Sequence, residues 1–224
     1  FPSTENQRMK INVVKNVLEA NNTLAAENRQ RLNGAGVWCV NLTSAPGSGK
    51  TTLLEKTIPA LSTEGLASAV VVGDLQTTRD AERLGNLVAE VTQINTEGGC
   101  HLSATQVSAA LAGLDLPALD YLFIENIGNM VCPAGFDLGE HARVAMLSVP
   151  EGDDKVAKYN TLFQPADAIV LSKIDLVEAL DYDKSRVYDD LKKINTAAPL
   201  FEMSCRTGEG MDAWLDWLRE KKAR

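Results

Sequence analysis

An α/β fold is what this sequence predicts: a mainly parallel sheet with helices on both faces, led by a helical arm. Three observations carry the prediction. Strand-like and helix-like stretches alternate along almost the whole chain. The strand-like ones include continuously apolar runs, such as Ala69-Val70-Val71-Val72 and Tyr121-Leu122-Phe123-Ile124. The first of them, Val37-Trp38-Cys39-Val40-Asn41-Leu42, runs into the glycine-rich turn Ser44-Ala45-Pro46-Gly47-Ser48-Gly49-Lys50-Thr51-Thr52. Continuously apolar strands are buried on both faces, which is what helical crossovers impose on a parallel sheet.

Residues 5–31 place Ile11, Val14 and Leu18 at helical spacing among polar residues and stop before Asn33-Gly34, predicting an amphipathic helix packed on the main body. An arm over 1–33 and a domain over 34–224 follow from that boundary. Strands are predicted at 37–43, 68–73, 91–95, 121–125, 143–149, 168–172 and 199–203. Helices are predicted at 50–62, 79–89, 104–112, 154–159, 183–195 and 211–222. Asp80-Ala81-Glu82-Arg83 opens the second of these helices, so Asp80 reads as a capping residue. No internal repeat, low-complexity tract or long linker divides the chain.

Composition narrows the function. A chain of 224 residues buries one good core, and 45% hydrophobic with 23% charged residues is ordinary for a soluble globular protein. With 22 basic against 30 acidic residues the net charge is -8, which argues against nucleic acid or an anionic membrane as partner. No apolar stretch approaches the ~20 residues that span a bilayer. Phe1-Pro2-Ser3-Thr4 does not resemble a secretion signal, and the absence of Met at position 1 fits a piece of a longer protein. Cys39, Cys100, Cys132 and Cys205 show no disulfide-type spacing, so reduced thiols or metal ligands in a cytoplasmic protein are expected.

The turn after the first strand has the form of a P-loop. Backbone N–H groups of such a turn surround phosphate oxygens, Lys50 reaches the terminal phosphates, and the Thr51 hydroxyl is placed for Mg2+. Gly47, Ser48, Gly49 and Thr52 complete the cradle, while Ser44 stands where the pattern has its first glycine. Glu125, at the tip of a later strand, is an acid placed to hold the Mg2+ shell, and Gly128 offers a backbone N–H to a γ-phosphate. The usual residue there is Asp. Asp74, after Val70-Val71-Val72-Gly73, is a candidate for orienting the attacking water or holding Mg2+, with a capping or turn aspartate as the other reading.

A P-loop does not choose between adenine and guanine. Ser172-Lys173-Ile174-Asp175, again at a strand end, follows the Asn/Thr-Lys-x-Asp form of GTPases. Asp175 can accept from guanine N1–H and the 2-amino group, a donor pair that adenine lacks, while the Lys173 stem covers the purine. Ser204-Cys205-Arg206 follows the next strand as a backbone contact loop for the base. GTP or GDP is therefore the expected ligand.

Two further segments carry soft donors: Gly98-Gly99-Cys100-His101-Leu102 and Val131-Cys132-Pro133-Ala134. Thiolate and imidazole suit Ni2+ or Zn2+, but lone cysteines are commonly small core residues, and three donors are one short of a closed tetrahedral site. A two-fold dimer could bring two such sets together. His141 reads as a surface residue rather than a ligand.

With these segments in order, the chain resembles the hydrogenase nickel-incorporation GTPases, the HypB family. The matching residues are Pro46-Gly47-Ser48-Gly49-Lys50-Thr51-Thr52, Gly73-Asp74-Leu75, Gly99-Cys100-His101-Leu102, Glu125-Asn126-Ile127-Gly128-Asn129, Val131-Cys132-Pro133-Ala134 and Ser172-Lys173-Ile174-Asp175. The resemblance covers about residues 35–220. It implies a GTP-dependent homodimer of the signal-recognition/MinD (SIMIBI) class, with a Ni2+ or Zn2+ site at the interface formed by Cys100, His101 and Cys132, and slow hydrolysis is expected because no arginine finger is evident in the sequence. It also implies a small nickel metallochaperone of the HypA type and a hydrogenase large-subunit precursor as partners. Two departures stand out: Ser103 replaces a common acidic residue after Cys-His-Leu, and the N-terminal Cys-rich or His-rich nickel segment of many members is absent from these residues. The neighbouring readings are a urease or cobalamin accessory GTPase, a P-loop kinase and a metal-storage protein. The Cys-His-Leu and Cys-Pro-Ala pair favours the hydrogenase type over the first, and Ser-Lys-Ile-Asp speaks against the second. Intact Lys50, Thr51, Asp74 and Glu125 argue against the third.

Overall fold

Seven parallel strands form one sheet in the order β3-β2-β4-β1-β5-β6-β7 in a computed structural model that describes residues 4–74, 78–96 and 98–223. The strands are β1 Trp38–Ser44, β2 Ser68–Asp74, β3 Glu90–Asn95, β4 Tyr121–Glu125, β5 Ala142–Ser148, β6 Ala168–Ser172 and β7 Leu200–Met203. The helices are α1 Thr4–Ala35, α2 Lys50–Thr63, α3 Arg79–Leu84, α4 Ala104–Ala112, α5 Lys155–Lys158, α6 Asn160–Phe163, α7 Lys184–Ile194 and α8 Met211–Lys222. Every strand pair is parallel. The order reverses around β1, which lies between β4 and β5, and ligands bind beyond the strand ends at such a switch point.

Alternation along each strand assigns its side chains to two layers. Val40, Leu42, Val70, Val72, Tyr121, Phe123, Val144 and Met146 pack with Leu53, Leu54 and Ile58 of α2 and Trp214 and Leu218 of α8. Cys39, Ala69, Val71, Leu122 and Ile124 face Leu32 of α1 and Val107 and Leu111 of α4. Ala145, Leu147, Ile169 and Leu171 continue the opposite layer under Leu162, Phe163, Val187 and Leu191. Trp214 is fully buried, and its indole N–H donates to Thr57 Oγ1 at 3.0 Å, so α2 is tied to α8 by a polar as well as an apolar contact.

Several boundaries differ from the sequence reading. The first helix runs to Ala35, past the expected stop, and polar stitches hold it in addition to the buried side chains of Ala25 and Leu32. Asn28 Nδ2 donates to the carbonyls of Ala104 and Leu138, and Asn21 donates to Asp137 O while accepting from Ala104 N–H. These amides satisfy a donor at the start of α4 that has no partner within the helix. Ile11 and Val14 lie outside the described side chains, and Leu18 is exposed. The helix expected over 79–89 ends at Leu84, where Gly85 follows, and that expected over 154–159 is two short helices broken at Tyr159.

Candidate nucleotide and metal sites

The P-loop joins the end of β1 to α2 and needs left-handed backbone at Gly47 and Gly49, with φ of 76° and 99°. Lys50, the first residue of α2, is 7% exposed and donates to Ser44 Oγ at 3.1 Å. Burial lowers its pKa, opposed by the charge of Glu125. Ser44 therefore supplies an oxygen to this lysine where the common glycine supplies none.

Glu125 emerges from β4 beside the loop. Its Oε1 accepts from Thr51 Oγ1 at 2.7 Å, whereas its Oε2 is buried with no hydrogen-bond partner. Burial pushes the carboxyl up to about 7, against the pull of Lys50 and the Thr51 hydroxyl. An orphaned carboxylate oxygen next to a threonine hydroxyl is a fitting donor set for a hard divalent cation such as Mg2+. Asp74, at the end of β2, lines the same cleft of about 370 Å³, as do Asn126, Ile127 and Gly128. Gly128 lies against the P-loop: a Cβ there would meet Pro46 Cα at 2.8 Å.

A second cleft of about 280 Å³ shares Gly49, Thr52 and Lys173 with the first and adds Ser172, Asp175, Ser204, Cys205 and Arg206. The two clefts adjoin at these shared residues. Lys173 adopts the left-handed conformation, φ 60°, and its Nζ donates to Gly47 O at 2.7 Å. Ser172 Oγ donates to Ser48 O at 2.7 Å, so a hydroxyl anchors this strand end to the P-loop in place of the usual Asn or Thr. Asp175 Oδ1 accepts from Ser204 Oγ at 2.6 Å, and Oδ2 faces Arg206 at 3.5 Å.

Cys100, His101 and Cys132 meet on neighbouring loops, their candidate ligand atoms all within 4.8 Å of one another. Cys100 Sγ lies 3.6 Å from His101 Nδ1, and the imidazole stacks on Phe136 with centroids 3.8 Å apart. The hydrogen bond with Cys132 and then burial raise the Cys100 pKa, and burial lowers that of His101. Two cysteine sulfurs beside an imidazole fit a borderline-soft cation, which displaces thiol protons on binding. Asn129 Oδ1 accepts from the amides of Val131 and Cys132 at 2.7 and 3.2 Å and so aims the turn that carries Cys132. Leu75 of the Gly-Asp-Leu segment lies outside the described residues.

The nucleotide-binding family described as CobW/HypB/UreG matches residues 38–202. The hydrogenase maturation factor HypB of Rhizobium leguminosarum bv. viciae is 44% identical over 223 residues, which is 100% of this chain and 74% of that protein. The chain belongs to the HypB family. Among solved structures, HypB from Helicobacter pylori in complex with nickel is similar with a TM-score of 0.86 at 41% identity, over 91% of this chain and 95% of that one. HypB from Archaeoglobus fulgidus reaches 0.85 at 40% identity, over 92% and 100%.

Set beside the HypB pattern, Ser103 has a different duty from an acidic residue: it caps α4, with Gln106 reciprocating in a capping box. His141 is held rather than free. Its Nδ1 accepts from Cys39 N–H at 2.8 Å, which leaves Nε2–H to donate to Asn33 Oδ1 at 2.9 Å. Two residues have a different place from the sequence reading, and a third escaped it. Asp80, expected to cap its helix, lies inside α3, whose N-cap is Thr78, and Asp80 and Arg83 line the phosphate cleft, where Arg83, readable in the sequence as a helix-surface arginine, pairs with Glu55 and Asp80 and donates to Thr52. Glu151 Oε1 accepts from Ser48 Oγ at 2.7 Å. Its signal was the Ser148-x-x-Glu151 capping box, a common local pattern that says nothing of a P-loop 103 residues away.

Proposed function

We propose that this protein is a GTP-hydrolysing metallochaperone that takes up nickel and assists its insertion into [NiFe]-hydrogenase. The observation that carries the reading is the course of one loop. It leaves β4 at Glu125 in the phosphate cleft and, seven residues later, brings Cys132 to Cys100 and His101. The family is one of hydrogenase maturation factors, and the Helicobacter pylori relative was solved with nickel.

The amides of Gly47–Thr52 and the ammonium of Lys50 bind the phosphates, and Asp175 reads guanine over the Lys173 stem, with Ser204, Cys205 and Arg206 lining the base pocket. Thr51 and Glu125, with Asp74, hold Mg2+, which when bound neutralises charge developing on the β- and γ-phosphate oxygens. Asp74 orients the attacking water, and Gly128 N–H meets the γ-phosphate. Nickel, the cargo, is held by Cys100, His101 and Cys132; Zn2+ suits the same donors. Three donors leave a coordination position open, and Val131 beside them is 60% exposed, which fits a site completed by another chain. That chain is a second copy in a homodimer, and a HypA-type nickel metallochaperone and the hydrogenase precursor exchange the ion.

The test is a crossed titration. Ni2+ and Zn2+ are titrated into apo, GDP-bound and GTP-analogue forms while mass in solution is followed. Metal affinity and dimer mass are expected to change with nucleotide, and Cys132→Ala is expected to weaken metal binding while guanine binding stays within about twofold. Identical metal affinity in all three forms would remove the coupling, and tight metal binding by the variant would remove the ligand assignment.

A further inference from the structure

Between the two sites runs a chain of largely buried polar side chains that begins at Asn126 in the lining of the phosphate cleft. Asn126, the residue after Glu125, is 1% exposed; Asn41 of β1 is 0% exposed; Glu140 is 6% exposed. Asn126 Nδ2 donates to Asn41 Oδ1 at 3.2 Å, and Asn41 Nδ2 donates to Glu140 Oε1 at 3.2 Å. The same Glu140 oxygen accepts from Arg143 Nε and Nη2 at 3.1 and 2.9 Å. Arg143 then donates to Ala134 O at 2.8 Å and Phe136 O at 3.0 Å. Those carbonyls belong to the turn that begins with Cys132, and Phe136 is the ring on which His101 stacks.

A second branch leaves the same residue. Asn126 Oδ1 accepts from Ile127 N–H at 2.9 Å and from Leu102 N–H, next to His101, at 3.4 Å. Both halves of the metal cluster are thus anchored to one amide that also lines the phosphate cleft. Register explains how the chain crosses the sheet: Asn41 pairs with Ile124 on one side and Arg143 on the other. Asn126 and Asn41 are buried too deeply for water to replace the link between them readily, so a shift of Asn126 either moves Asn41 or leaves polar groups unpaired.

We infer that Asn126, Asn41, Glu140 and Arg143 form a relay by which contacts to the nucleotide reposition the metal loop, with Asn41 as its central positioning residue. This rests on the metal-delivery reading above, in which nucleotide state alters metal affinity. The relay adds the path. A purely structural network would lower stability when cut but leave untouched the dependence of metal affinity on nucleotide.

The decisive quantity is the ratio of Ni2+ dissociation constants in the GDP and GTP-analogue forms, measured on the unsubstituted chain, on Asn41→Ala and on Arg143→Gln. Allosteric couplings typically amount to about 5–150-fold, so the unsubstituted chain is expected to fall in that range and both variants within about twofold of unity. A ratio retained by either folded variant overturns the relay while leaving the delivery reading intact. A ratio of unity in the unsubstituted chain overturns both. Hydrogen exchange of the metal-free, unsubstituted chain keeps the inference testable if neither variant folds. Leu138 N–H, which donates to Glu140 Oε2 at 2.7 Å, is expected to change protection on replacing GDP by the GTP analogue. Unchanged protection there overturns the relay.

Discussion

Asp175→Asn tests the base assignment by chemistry that few other changes would mimic. The Asp175 side chain is only 16% exposed, and Oδ1 accepts from Ser204 Oγ, which fixes the carboxylate in its plane. Arg206 faces the other oxygen at 3.5 Å with 81% of its own side chain exposed, so that ion pair adds little. Guanine offers two donors, N1–H and the 2-amino group. Two charge-assisted hydrogen bonds at about 1.5–3 kcal/mol each place the carboxylate's contribution at about 3–6 kcal/mol. Asn keeps one acceptor and turns the other into a donor. The loss in GDP affinity is then expected near the lower end, roughly 3 kcal/mol or about 10²-fold. Xanthine carries N1–H beside a 2-oxo acceptor, which is the match for an amide. Xanthosine diphosphate is therefore expected to gain on the variant, whereas ADP, with neither arrangement, gains nothing. Displacement of a fluorescent GDP analogue by GDP, XDP and ADP reads all three, with the thermal midpoint as a check on folding. GDP affinity unchanged within twofold, or ADP rising along with XDP, would refute the placement of the base at Asp175.

Two other perturbations have outcomes fixed by contacts already described. Gly128→Ala puts a methyl 2.8–2.9 Å from Pro46 Cα, N and Cγ, and because two of these are backbone atoms the P-loop itself must shift. Overpacking of this kind costs about 1–3 kcal/mol, so guanine nucleotide affinity by calorimetry is expected to fall about tenfold or more with the fold intact, and undiminished affinity would show that the contact is slack. His141 has its pKa lowered by burial first and by Arg29 second, so the unfolded chain takes up a proton at this position more readily than the folded one. Its contribution to stability is complete above the ordinary value of about 6.5 and is lost as pH falls through the folded value, so His141→Gln is expected to show a smaller drop in urea midpoint between about pH 7.5 and 5 than the unsubstituted chain. Equal drops would mean that the imidazole is not held as described; the remaining slope includes His101, which burial shifts the same way.

The parts of this protein that were legible in its sequence are those whose chemistry is local. Continuously apolar strands announced a sheet covered on both faces, and all seven strands lie within a residue of their expected bounds. The P-loop, the Ser-Lys-Ile-Asp segment and the Cys-His and Cys-Pro segments were recognisable because each places its donors within a few residues. Glycine at 85 ended one helix early and a break at Tyr159 split another, since a continuing polar pattern does not reveal where backbone hydrogen bonds stop.

Departures from motif turned out to be informative once their partners were visible. Ser44 gives Lys50 an oxygen, Ser172 ties its strand end to Ser48 O, and Ser103 caps α4. In each case the side chain does a job that a motif defined by spacing cannot express, because its partner is a particular atom rather than a sequence position. The relay residues are the extreme of this. Asn41 stands 85 residues from Asn126 and 99 from Glu140, inside a strand where an amide looks like a flaw in an apolar run. A buried amide in a central strand costs desolvation unless both its donor and its acceptor are used, and here both are. An apolar residue at position 41 would leave Asn126 Nδ2 and Glu140 Oε1 without this partner. What those two hydrogen bonds join is Asn126, in the lining of the phosphate cleft, and Glu140, whose partner Arg143 holds the carbonyls of Ala134 and Phe136 beside the thiols.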